Sequence, residues 1–125
     1  MKSVSKKITI DLEGDKKQIL LSIPPNKKIV SMGAKLVDAT DLYDDLKPIL
    51  GTHEIAKVVF TDYKNKVVLA QSVNIDFENT TYLGKESICF EPFYSNYLLV
   101  RVDDIINKKT TVDTTYQIEV FAEYQ

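Results

Sequence analysis

The dominant spacing of apolar residues along this chain is two. Val4, Ile8, Ile10 and Leu12 fall on one side of an extended segment, with Ser5, Lys7, Thr9 and Asp11 on the other. Successive side chains of a strand point to opposite faces, so this alternation predicts a strand with one dry and one wet side. Glu13-Gly14-Asp15-Lys16 reads as a tight turn, because glycine enters positive φ without a steric penalty. A second strand follows over Gln18 to Ile23, with Ile19, Leu21 and Ile23 on one face. Pro24-Pro25-Asn26 ends it, since proline offers no N–H to a ladder. Val30, Met32, Ala34 and Leu36 predict a third strand from Lys28 to Val37, and Gly33 inside it predicts a bulge or a close packing contact.

One segment departs from this period. Leu42, Leu46 and Ile49 lie at helical spacing, so one short helix is expected near Leu42–Leu46, with Asp41 as its cap and Pro48 as its limit. Ile55 to Thr61 is apolar on both sides, as in a central strand covered on both faces. After a turn at Asp62-Tyr63-Lys64-Asn65, the residues Val67, Leu69, Val73, Ile75 and Phe77 form an apolar face broken only by Gln71. Glu78 to Lys85 reads as a polar loop and Ser87 to Glu91 as a short strand. Pro92 interrupts, and Tyr94 to Val102 makes a further strand. Tyr116, Ile118, Val120, Ala122 and Tyr124 alternate cleanly in the final one. About eight strands, one short helix and no βαβ alternation predict an all-β, antiparallel, jelly-roll-like β-sandwich. No linker, repeat or low-complexity tract divides residues 1–125, so a single domain is expected.

Composition narrows the function by exclusion. The chain holds 16 basic and 18 acidic side chains, net charge -2, which argues against a dedicated nucleic-acid binder. No apolar run is long enough for a secretory signal or a membrane span, so no membrane partner is expected. A lone cysteine, Cys89, cannot form an intrachain disulfide or a multi-cysteine zinc site, and it reads as a packing residue. His53 is the one histidine, with no nucleophile motif around any serine, and reads as a loop or surface residue. Asp38, Asp41, Asp44 and Asp45 lack calcium-loop spacing and read as a solvated helix start. Asp103-Asp104 reads as a strand-end turn. The four glycines are scattered and form no phosphate-binding loop. The expectation is no enzyme, no catalytic residue, no metal and no cofactor.

What remains is contact surface. Phe121 sits on the polar side of the last strand between Glu119 and Glu123, and Ile105-Ile106 interrupts a long polar stretch from Asp103 to Thr115. Large apolar side chains dominate buried contact energy, so Phe121, Ile105 and Ile106 are the interface candidates. Residues Met1 to Ser5 read as a free arm able to add a strand to a partner's edge. Seven tyrosines keep a carbohydrate-binding or other ligand-binding sandwich module as the alternative, although tryptophan is absent.

The lysine-rich first strand and the alternating end, Thr114-Thr115-Tyr-Gln-Ile-Glu-Val-Phe-Ala-Glu-Tyr-Gln, give the chain a layout that resembles a known group. It is similar to the small β-sandwich accessory proteins of tailed-phage virions, among them the auxiliary capsid and head-fibre proteins of crAss-like phages. The resemblance implies a non-enzymatic structural protein, most simply an auxiliary capsid protein that decorates the head. It would bind capsid or other virion proteins in many copies, and reside in the virion after synthesis in the host cytoplasm.

Overall fold

The strands pair from the two ends of the chain inward. The computed structural model describes residues 2–10, 16–38, 52–76, 81–83, 85–107 and 115–125. They form β1 (Lys2–Ile10), β2 (Lys16–Ser22), β3 (Lys28–Asp38), β4 (Thr52–Thr61), β5 (Val67–Asp76), β6 (Thr81–Leu83), β7 (Lys85–Tyr94), β8 (Tyr97–Asp104) and β9 (Tyr116–Tyr124). β1 pairs with β9, β2 with β8, β3 with β7 and β4 with β5, all antiparallel. That is a long double-stranded ribbon wrapped on itself, the jelly-roll arrangement. It closes into a four-stranded sheet, β1-β9-β3-β7, and a five-stranded sheet, β2-β8-β4-β5-β6. The expected antiparallel sandwich is therefore present. The short β6 falls within the stretch expected to be loop, pairing with β5 from Thr81 to Leu83. The helix expected near Leu42–Leu46 lies outside the described residues.

The two sheets meet over one apolar core. Ile10, Ile29, Ile118 and Val120 of the four-stranded sheet are buried in the same cluster as Leu21, Val58, Phe60 and Val100 of the other. Each such side chain contributes about 1.5–3 kcal/mol relative to exposure, which is why register is strictly held. Gln71 is the polar interruption in this face. Its Nε2 donates to the carbonyl of Ala34 at 3.1 Å, linking β5 to β3 across the sandwich.

β1 and β2 belong to opposite sheets. Three sequence expectations are corrected by the ladder. Residues Lys2 to Ser5 are no free arm, since they pair with β9 from Lys2↔Tyr124 to Ser5↔Phe121. Of the two expectations for Gly33, the bulge is not found there, as the register shifts lie between Ile29 and Ser31 and between Leu36 and Asp38; Gly33 is instead buried opposite Phe121. Pro92 does not end a strand. It lies within β7, where the register with β3 passes from Ile29↔Phe93 to Ser31↔Ile88, and an outer strand of a sheet tolerates a missing N–H. The true break falls at Ser95-Asn96.

Bulges also explain residues on an unexpected side. A shift between Phe60 and Thr61 inserts one extra residue on β5, so Val67 leaves the inward set and is 56% exposed, while Leu69 stays partly buried against the core. Lys6 shares the inward parity of Ile8 and Ile10, yet it is exposed at the sheet edge. An inward-pointing charge on an edge strand discourages pairing with a foreign chain.

Candidate functional site

The interface candidates separate once their surroundings are known. Ile106 is fully buried and belongs to the core, so it offers no surface to a partner. Its burial continues the even-numbered inward parity of Leu98, Val100, Val102 and Asp104 just past the end of β8. Ile105 is half-buried, and its N–H donates to the carbonyl of Ile55 at 2.9 Å. Phe121 does lie on the outward face of the four-stranded sheet, half-buried, with Ser5 on one side and Gly33 on the other. Gly33 is itself buried although it has no side chain, and an aromatic directly opposite covers such a gap.

Around Phe121 that face is polar and internally matched. Lys35 and Glu119, neighbours in register, form an ion pair at 3.3 Å. Lys7 stands opposite Glu119 on the other side. Gln117 donates from Nε2 to Thr9 Oγ1 at 3.2 Å. Opposite charges across a ladder are mildly favourable, so the face satisfies itself.

The outward face of the five-stranded sheet has a different make-up. One row runs Leu20, Leu99, Thr61 and Val67, and the next Gln18, Arg101, Val59 and Ala70. Leu20 is 41% exposed, Ala70 is exposed, and Leu99 and Val59 are half-buried. No described element covers them. A shallow depression of about 230 Å³ lies on this face, lined by Lys57, Val59, Ala70 and Ser72 among others. The outward Val59 is the residue that made β4 look covered on both sides; among the described residues only its inward face is covered.

A third feature caps one end of the sandwich. The loops Pro24–Lys27, Asp62–Lys66 and Ser95–Asn96 enclose a groove of about 370 Å³. Each is locally fixed. Asn26 takes φ 63° after Pro25, the pairing that a proline-led turn favours. Asp62 Oδ1 accepts from the amides of Lys64 and Lys66, both at 2.9 Å, and Asn65 turns the chain at φ 62°. The loops are also tied to one another: Ile23 N–H donates to Asn96 O at 3.0 Å, and Tyr63 N–H to the buried hydroxyl of Ser95 at 3.3 Å.

Buried polar groups are few, and the main pair is structural. Asp104 was expected in a turn, but it continues the inward alternation of Leu98, Val100 and Val102. There it accepts a hydrogen bond at 2.5 Å from the hydroxyl of Tyr116, joining β8 to β9 across the core. Burial first, then the hydrogen bond and charge of Asp104, hold the Tyr116 phenol well above the ordinary tyrosine range. His53 is a half-buried residue of β4, opposite Ile75, rather than a loop residue. Asp41, Asp44, Asp45 and the side chain of Cys89 lie outside what is described. Among the described residues no group of three His, Cys, Asp or Glu is placed to hold a metal ion.

Comparison with known proteins adds little to this geometry. No protein family and no curated protein matches the sequence. Among solved structures, dimeric latent PorU from Porphyromonas gingivalis aligns with 98% of this chain at 7% identity and a TM-score of 0.40. The chain spans 13% of the length of that protein.

Proposed function

We propose that this chain is a non-enzymatic structural protein of a tailed-phage virion, an auxiliary capsid protein that decorates the head. It docks through the outward face of its five-stranded sheet. The observation that carries the reading is the pair of rows holding Leu20, Leu99, Val59, Ala70 and Val67, apolar and outward with no described element over them. Water-exposed apolar positions of this kind, with Arg101 among them and Gln18 and Lys57 at their margin, have the make-up of an interface that mixes apolar anchors with polar contacts. Two further points support the reading. The wrapped-ribbon architecture recurs in viral capsid domains, an analogy of fold and no more. The layout of the first and last strands resembles the virion accessory group described above.

Docking by a sheet face also suits a protein present in many copies. The scaffold is held by its own core, so binding requires little ordering of the chain. The experiment is co-sedimentation of the tagged protein with purified virions, together with mass spectrometry of untagged particles. Presence at high copy number, lost in Leu99→Asp, is the expected result. Absence from purified particles overturns the virion assignment.

A further inference from the structure

We infer that the groove at the loop end is a second binding site, independent of the docking face, and that it takes an acidic saccharide. Among the described residues the large apolar side chains left exposed are Leu20, Tyr63, Val67 and Tyr94, and the two tyrosines both line this groove. Tyr63 is 45% and Tyr94 59% exposed, although each sits on a loop or strand end that is hydrogen-bonded in place. Exposed rings on a fixed backbone are suited to stacking on the C–H face of a sugar ring, because an aromatic presents broad apolar area at small entropic cost.

The rest of the lining supplies polarity of one sign. Asn26 and Asn96 bring amide groups that both donate and accept, the chemistry that hydroxyls require. Lys27 lines the groove, Lys28 Nζ stands 5.1 Å from the centre of the Tyr94 ring, and Lys64 Nζ stands 5.4 Å from that of Tyr63. The nearest described acid in these loops, Asp62, is buried and occupied by the turn amides of Lys64 and Lys66. The groove is thus locally cationic on a chain of net charge -2. A carboxylate or sulfate on the sugar would meet those ammonium groups with no acidic side chain among the described lining residues. A volume of about 370 Å³ is at the small end for ligand pockets, which fits one or two sugar rings.

Pre-organisation strengthens the case. The Ser95 hydroxyl also donates to the carbonyl of Tyr97 at 2.5 Å, so one buried side chain fixes the β7–β8 turn and, through Tyr63 N–H, the opposite wall. The backbone segments that carry the two rings are thus tied to each other before any ligand arrives.

The test is an amide-resolved NMR titration of the full chain with methyl β-glucuronide and, as the neutral isostere, methyl β-glucoside. The expected result is a set of shifts confined to Asn26, Lys27, Tyr63 to Asn65, and Ser95-Asn96. The glucuronide should bind about tenfold more tightly than the glucoside, about one charge-assisted hydrogen bond's worth. Tyr63→Ala and Tyr94→Ala should each weaken it about tenfold without loss of fold, as both side chains are exposed, and Lys27→Gln should narrow the preference. Leu99→Asp should leave all of this unchanged. No shift at those amides, equal binding of the two sugars, or occupancy by a proline-rich peptide with neither sugar bound would overturn the proposal.

Discussion

The outward face of the four-stranded sheet and that of the five-stranded sheet are made of strands with the same alternation, and they part company at single positions. On the first, Lys7, Lys35 and Glu119 share a row and Gln117 meets Thr9, so these polar groups have neighbours of matching chemistry. On the second, Leu20 is beside Leu99 and Val59 beside Ala70, and nothing described completes them. Among the described residues one face is matched by its own neighbours and the other is left open. A sandwich needs only its inner faces to fold, so the make-up of an outer face reports on what lies beyond the chain.

The largest effect should come from breaking the open face. Leu99→Asp is expected to reduce particle binding by about 100-fold or more, as a charge placed in an interface core does, while shifting folding stability by no more than about 1 kcal/mol. Quantitative co-sedimentation beside urea denaturation separates the two quantities. Unchanged binding would erase the distinction between the faces.

Next is a change that should treat both faces alike. Tyr116→Phe removes the hydrogen bond to Asp104 and leaves a buried carboxylate without its donor, which should lower stability by about 1.5–3 kcal/mol. Titration with base gives a second readout of the same pair. The phenol is held above its ordinary value in the folded state, so the unfolded chain loses the proton first, near pH 10. Above that point the folded state binds more protons than the unfolded one, and stability should fall by up to about 1.4 kcal/mol per pH unit. Below it this contribution is intact. Denaturant midpoints measured from neutral pH to pH 11 should show the decline in the native protein and lack that component in Tyr116→Phe.

Smaller effects belong to the matched face. Phe121→Ala uncovers Gly33 and should cost about 1 kcal/mol of stability, with particle binding unaltered. If binding collapses instead, the two faces exchange roles. Lys35→Ala breaks a pair whose lysine is well exposed, so a change of no more than about 0.5 kcal/mol is expected, vanishing in high salt.

Strand content and core faces were legible because burial imposes a period of two on any half-wet strand. Ile118, Val120 and Ala122 needed nothing else. Partner choice was not legible, since Ile8 and Leu21 look equally apolar whether their strands share a sheet or oppose each other. Bulges were hidden too: Val30 and Val67 carry no local mark of an extra residue, and the ladder alone reveals it. Asp104 was within reach, two residues beyond Val102 on a parity already established. The tyrosine groove was out of reach because Tyr63 and Tyr94 converge only when three loops are folded together.

β9 lies between β1 and β3, the last strand in chain order supplying the middle of a sheet whose edge is the first. On the ribosome β1 and β3 therefore emerge before the strand that pairs with the edges of both. Pairings this distant in sequence form slowly, on a scale of about milliseconds to seconds for all-β domains. Exposed strand edges are prone to wrong association in that interval. The lysines along β1 then act before the fold exists as well as after it, repelling neighbouring nascent chains until residues 116–124 arrive to close the sheet.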